Sequence, residues 1–300
     1  MKEIYDKKAI SVDEQLNLLE AKGMIIDNWQ IAKERLSLIG YYRFSGYAYP
    51  FRNNIDHSSF IEDTSFNKIF SIYDFDRRFK SLLLSYLGRI EVALRTQIID
   101  KFSCGKKDPW WFSKADNFID REEYISFMEG LESKLNDSRE EFINHFYESY
   151  SNTYPPSWIA LQIISFGSLI KLYGNFKDNS LKLEVSKYFG CDNSDRFISW
   201  INTLVYLRNI CSHHSRLWNQ PLRKRPEAFN FGDRRVRWTE TDLSKLYYSF
   251  CIVRFLLHHI LPSNKFKQET EQLMKEYTYI DQTKRKYLGF PNDWISQFSW

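Results

Sequence analysis

The chain has 300 residues, of which 43% are hydrophobic and 17% aromatic, and its formal net charge at pH 7 is +4. This apolar content is enough for a substantial core and argues against a disordered protein. No apolar run approaches the roughly 20 residues of a transmembrane helix, and the charged opening is unlike a secretory signal. We therefore expect a folded, cytoplasmic protein that does not enter a membrane.

Helical patterns fill the first third of the chain. Ser11 followed by Glu14 forms a capping-box pattern, which predicts a helix that continues to about Lys22. A second helix is predicted over residues 28–39. Residues 66–102 carry apolar side chains at every third or fourth position, which is the spacing of one long amphipathic helix.

The rest of the chain also follows helical patterns. Two helices are predicted between residues 121 and 150, before a rigid break at Pro155 and Pro156. Five more are predicted at about residues 157–173, 180–189, 194–210, 241–261 and 265–277. No strand-like alternation is long enough to matter, so the predicted fold class is all-α.

A polar cluster stands at the end of one of these helices. Residues 197–207 are apolar enough to be buried, and the sequence turns polar at Arg208, which is followed by Asn209, His213 and His214. On a continuous helix Asn209 and His213 share a face, whereas Arg208 and His213 are about 140° apart. Arg208 must therefore reach round the helix, or the helix must bend, for the three to meet.

These residue types can cut RNA without a metal ion. The reaction needs a base for the ribose 2′-hydroxyl, an acid for the departing 5′-oxygen and a cation on the phosphate. Histidine and arginine can supply all three. The sequence leaves the base open between His213 and His214, with His213 favoured because it aligns with Asn209.

The spacing of arginine and histidine is not diagnostic by itself. It recurs at three other places, which are Arg52 with His57, Arg139 with His145, and Arg254 with His259. The first two pairs lie in polar or charged segments typical of a surface, and the third lies in an apolar run typical of a core helix.

Positive charge is concentrated directly after the cluster. From Arg208 to Arg237 there are eight Arg or Lys residues against two acidic ones. The basic residues after Arg208 are Arg216, Arg223, Lys224, Arg225, Arg234, Arg235 and Arg237, and the interleaved aromatic residues are Trp218, Phe229, Phe231 and Trp238. Such a loop can bind phosphates while its aromatic faces stack on bases, which favours RNA as the partner. The alternative is a solvated loop whose aromatic residues tuck into the core.

Other site classes have little support. No Walker, Rossmann, GxSxG or HExxH motif is present. The four cysteines are scattered without zinc-like pairing, and Cys211 has helix-core spacing, so we expect reduced structural thiols. We expect neither a metal nor a cofactor.

Five ordered blocks resemble the abortive-infection (Abi) family of bacterial phage-defence proteins, whose core belongs to the HEPN superfamily of all-helical ribonucleases. The blocks are residues 39–47 with 50–51, 73–78, 89–95, 155–158 with 165–169, and 208–219. The last block contains the HEPN pattern of an arginine, a polar residue and a histidine four to six positions on. Arg208, Asn209 and His213 satisfy it, and His214 also fits the spacing.

The resemblance implies an HEPN-like helical bundle that is a metal-independent endoribonuclease toxin, leaving 2′,3′-cyclic phosphate and 5′-hydroxyl ends. Arg208, Asn209 and His213 would be catalytic, in a site formed where two copies of the motif meet in a homodimer. Transfer RNA is one candidate substrate, and an RNA or protein antitoxin is a candidate partner. Glu91 and Arg95 are either an exposed ion pair or a support for the site from a facing helix.

We expect an N-terminal helical extension over residues 1–60, the HEPN-like core over 61–261 and a helical tail over 262–300 that packs on the core. The alternative function is a non-catalytic RNA-binding or regulatory HEPN module held by an antitoxin, since fold does not fix function. The presence of Arg208, Asn209 and His213 together favours the catalytic hypothesis.

Overall fold

A computed structural model of the chain describes residues 8–55, 58–228 and 242–296. Within these residues the chain forms α-helices and short 3₁₀-helices, with isolated bridges in place of strands. The predicted all-α class is confirmed. None of the helices in the described ranges is both long and apolar enough to cross a lipid bilayer.

Thirteen α-helices are described. They are α1 (Val12–Ala21), α2 (Trp29–Ile39), α3 (Tyr41–Ala48), α4 (Phe66–Lys106), α5 (Arg121–Asn136), α6 (Glu141–Ser149), α7 (Ser157–Ala160), α8 (Phe166–Asn175), α9 (Asn179–Tyr188), α10 (Ser194–Ser212), α11 (Leu246–Ile260), α12 (Phe266–Glu276) and α13 (Thr278–Leu288).

Most of the predicted helices are present. The capping box of α1 forms as predicted, because the Ser11 hydroxyl accepts from the Glu14 N–H at 3.3 Å and the Glu14 carboxylate accepts from the Ser11 N–H at 2.7 Å. The Asn28 side chain caps α2 by accepting from the Ile31 N–H at 3.0 Å. The predicted long helix is α4, which runs from Phe66 to Lys106.

Three details of the predicted helices are wrong. The single helix expected over 157–173 is two helices, α7 and α8, because the Ser165 hydroxyl accepts from the Ser168 N–H and begins a new helix. The helix expected from residue 241 begins at Leu246, and residue 241 itself lies outside the described residues. The sequence patterns predict neither α3 nor α13.

The chain divides into two compact units. The first contains Met1–Phe79 and Glu271–Lys284, and the second contains Lys80–Thr270 and Arg285–Trp300. In the core of the first unit, the rings of Phe44 and Phe66 stack with 4.5 Å between their centroids. The three-part organisation given above stays a prediction.

The core of the second unit is built around aromatic side chains. Phe102 of α4 stacks on Phe176 with 3.9 Å between ring centroids, and Trp111 packs edge-on against Phe102 at 5.0 Å. Helix α10 is anchored in this unit by fully buried side chains that include Trp200 and Leu204. Each such burial contributes about 1.5–3 kcal/mol. The buried body of α10 therefore holds its polar end in a fixed place.

Candidate functional site

Both histidines of the cluster lie in the turn that ends α10. His213 is the C-cap residue, and His214 has a φ of +55°. The Ser215 N–H donates to the Ile210 carbonyl at 3.1 Å, and the His214 N–H donates to the Cys211 carbonyl at 3.3 Å. This is the Schellman arrangement, whose left-handed position usually holds glycine.

The left-handed backbone at His214 has a cost. A non-glycine residue there is strained by about 1 kcal/mol, although histidine tolerates the position better than most residues. Both imidazoles are exposed at this turn. The capping hydrogen bonds therefore fix the backbone positions of the two histidines.

A groove beside this turn brings several predicted residues together. Tyr206, Asn209 and His213 line it from α10, at the three- and four-residue spacing of one helix face. Arg216 and Arg223 line it from the segment that follows. The groove has a volume of about 740 Å³ including its opening to solvent. It can therefore admit a phosphate with a sugar and a base to a histidine, an amide and two guanidinium groups.

Arg208 faces away from this groove, towards α4. Its Nε lies 3.6 Å from Oε2 of Glu91, and its Nη1 lies 3.4 Å from the Asn209 side-chain oxygen. The angular separation from His213 expected on a helix is therefore kept. Within one chain Asn209 and His213 line the groove, and Arg208 is not one of its lining residues but reaches the Asn209 side chain from the side of α4.

Glu91 connects Arg208 to a second arginine. Its Oε1 accepts from Arg95 Nη2 at 3.2 Å, while Arg95 Nη1 donates to the Leu161 carbonyl just beyond α7. The side chains of Glu91 and Arg95 are only 16% and 9% exposed, which excludes the exposed ion pair considered above. Burial lowers the pKa of the Arg95 guanidinium, and the Glu91 carboxylate opposes that shift.

The basic triplet Arg223, Lys224 and Arg225 is exposed between two anchored points. Before it, the buried Leu222 donates its N–H to the Ser244 carbonyl at 2.7 Å. After it, the Glu227 carbonyl accepts from Trp200 Nε1 at 2.9 Å and from the Tyr248 hydroxyl at 3.0 Å. The three cations are therefore presented to solvent by a segment fixed at both ends.

A model of the Abi-like protein family matches residues 34–219, which is well over half of the chain. The chain belongs to the Abi-like protein family. The matched region includes α10, the turn with both histidines and Arg216, whereas the triplet from Arg223 to Arg225 lies beyond it. Comparison with curated proteins and with solved structures gave no match.

The prediction that Trp218 of this Abi-like protein stacks on a base is wrong. Trp218 is fully buried, and its ring packs against Tyr287 with 4.6 Å between centroids, so it has no free face for a base. Phe229, Phe231 and Trp238 lie outside the described residues. Tyr206, which the sequence analysis missed, is the aromatic side chain of the groove. Its position three residues before Asn209 was the available signal.

The other arginine and histidine pairs have different surroundings. His145 is exposed on α6, Arg254 is buried in α11, and His57 lies outside the described residues. The four cysteines are thiols and not disulfides, and Cys211 is buried, as expected of a structural thiol. In the ranges that the structure describes, no group of three or more His, Cys, Asp or Glu side chains is placed to hold a metal ion.

Proposed function

We propose that this Abi-like protein is a metal-independent endoribonuclease of the HEPN superfamily and acts as a toxin in abortive infection, a defence against phage. The observation that carries the proposal is the groove in which Asn209 and His213 meet Arg216 and Arg223. It combines a proton-transfer group with cations, and both are needed for cleavage of a phosphodiester.

In the proposed reaction the 2′-hydroxyl gives its proton to a base, and its oxygen attacks the adjacent phosphorus. The bond from phosphorus to the 5′-oxygen breaks, and that oxygen takes a proton from an acid. The products are a 2′,3′-cyclic phosphate and a 5′-hydroxyl, so no water or metal is consumed. His213 is the proposed base, and Asn209 orients the ribose or the phosphate.

A homodimer supplies the groups that one groove lacks. His213 provides one proton-transfer group, whereas two facing copies provide a base and an acid. Arg208 lies away from the groove of its own chain and is held by Glu91, so a site completed by a second copy gives it access to the phosphate. Arg208, Asn209 and His213 are thus the proposed catalytic set, with Glu91 and Arg95 as supports.

The exposed triplet from Arg223 to Arg225 supports RNA as the substrate. Each cation that contacts a phosphate releases a counterion. On a single strand, each such contact makes the slope of log binding constant against log salt concentration more negative by about 0.7. His214 and Arg216 are proposed to bind the RNA beside the reacting phosphate. Transfer RNA is the proposed substrate class, and an RNA or protein antitoxin is the proposed means of control.

The test is incubation of purified protein with total cellular RNA in excess EDTA, followed by mapping of the new ends. We expect wild type to produce cyclic-phosphate and 5′-hydroxyl ends, and His213→Ala to cut about 100-fold more slowly or worse, because a general base contributes at least that much. His145→Ala is the matched control, since His145 is an exposed helical histidine outside the groove.

Both substitutions remove exposed side chains and should change the free energy of unfolding by less than about 0.5 kcal/mol. Equal cleavage by folded His213→Ala would contradict the proposed base. Cleavage that requires added metal would contradict the metal-independent reaction. Binding of RNA without cleavage by wild type would instead support a non-catalytic RNA-binding module.

A further inference from the structure

A buried lysine contacts the histidine-bearing turn from α4. Lys80 is only 5% exposed, and its Nζ donates to the Ser215 carbonyl at 2.9 Å. Ser215 is also the residue whose N–H closes the capping turn onto Ile210. Lys80 therefore contacts the residue that follows the left-handed His214.

The chemistry of this contact helps to accommodate a charged side chain there. Burying an ammonium is costly unless its charge is compensated by hydrogen bonds or opposite charge. The last carbonyls of α10 form the negative end of the helix dipole, so a lysine at this end is stabilised. The contact also restrains the turn that contains the strained residue His214. Such strain persists only where the surrounding structure maintains it.

The register of α4 extends this argument to both ends of the motif. Lys80 and Glu91 are eleven residues apart, which is about three helical turns, so they lie on nearly one line of α4 about 16 Å apart. Glu91 contacts Arg208, and Lys80 contacts Ser215. One face of α4 thus contacts the residue just before the segment that contains Asn209 and His213, and a residue just after it.

We propose that Lys80 is a positioning residue, which holds the turn of His213 and His214 so that the His213 imidazole stays directed into the groove. Lys80 is too buried to bind RNA itself. The catalytic consequence rests on the proposed ribonuclease function. The restraint on the turn does not, and it can be measured separately.

The experiment measures amide hydrogen exchange at residues 213–215 and, in parallel, the steady-state kinetics of RNA cleavage. Lys80→Met keeps most of the length of the side chain and removes the ammonium group that donates to the Ser215 carbonyl. We expect exchange at the His214 and Ser215 amides to rise about tenfold and kcat to fall about tenfold with KM within about twofold, because local opening and misplacement act at the turn. Lys80→Arg should recover most of both.

Lys171→Met is the matched control, since Lys171 is an exposed helical lysine of α8, and it should leave both readouts unchanged. If Lys80→Met fails to fold, Lys80→Gln replaces it, since its side chain stays polar but is one atom shorter, which withdraws the donor from the Ser215 carbonyl. Unchanged exchange in the folded variant overturns the proposal even if wild type cleaves RNA. Faster exchange in a protein that never cleaves RNA keeps the positioning role and rejects the ribonuclease.

Discussion

Helices α10 and α11 both end near an arginine and a His-His pair but present these residues differently. In each, an arginine precedes a histidine of a His-His pair by five residues. The pair of α10 follows the last helical residue, whereas His258 and His259 lie inside the last turn of α11. The Arg208 side chain is 35% exposed beside Glu91, and Arg254 is only 4% exposed.

The ring of His259 in α11 is also held by local contacts, although the residue remains exposed. His259 Nδ1 lies 2.9 Å from the Phe255 carbonyl, and a Cβ added at Gly190 would lie 2.2 Å from its Nε2, so the ring fills the space above that glycine. Arginine and histidine at the same spacing therefore do not by themselves form a site. In α10 the helix ends just before the two histidines and a groove lies beside them, whereas in α11 the helix continues through both histidines.

The largest effects come from removing the two arginines. We expect Arg208→Ala to slow RNA cleavage about 100- to 1000-fold, the usual cost of losing a donor to developing charge. Its effect on stability should stay below about 1 kcal/mol, because Arg208 is partly exposed and Glu91 keeps Arg95. Arg254→Ala should instead lower the free energy of unfolding by about 2–4 kcal/mol by leaving a cavity.

Urea unfolding and cleavage rates per folded molecule separate these two outcomes. The folded fraction of Arg254→Ala should cleave RNA as fast as wild type. A specific loss of cleavage in Arg254→Ala, or full cleavage by Arg208→Ala, would break the distinction between the two helices.

The distinction was only partly visible in the sequence. The abrupt change from apolar to polar residues at Arg208 predicts a helix end, and the apolar neighbours of Arg254 predict burial. By contrast, the Lys80 contact with Ser215 joins residues 135 positions apart. No periodicity reveals such a contact, because it depends on how α4 and α10 pack.

The same reasoning explains two other differences between sequence and structure. Trp218 is buried because Tyr287, almost 70 residues later, covers its ring. Gly40, whose φ is +78°, is the only residue between α2 and α3. The sequence therefore lacks the short polar loop that usually marks the boundary between two helices. Local signals thus predicted α10 and its polar end, and missed what distant packing decides.

Glycine substitutions at the two helix ends should change stability by a smaller amount, and differently in α10 and α11. His214→Gly relieves a left-handed residue, so we expect no loss in the free energy of unfolding beyond about 0.5 kcal/mol. His258 lies inside α11, so His258→Gly should lower the free energy of unfolding by about 0.5–1 kcal/mol or more. Thermal and urea unfolding measure both changes.

Cleavage by His214→Gly also bears on the base. If His213 is the base, this variant keeps the turn and should retain at least about a tenth of wild-type cleavage. A loss as large as that of His213→Ala would assign the base to His214. A destabilised His214→Gly would show that the turn is not the glycine-like cap described.

A pH dependence of similar size is carried by Arg254. Burial lowers the pKa of its guanidinium to about 10, against 12.5 for the ordinary group. Above pH 10 the folded protein releases a proton that the unfolded chain keeps, so the free energy of unfolding rises with pH through this group. Between pH 7.5 and 10.5 wild type should gain about 0.8 kcal/mol over Arg254→Met in urea unfolding, since other titrating groups are shared and cancel in the difference. A constant difference would show that Arg254 keeps its proton throughout this pH range, in spite of its burial in α11.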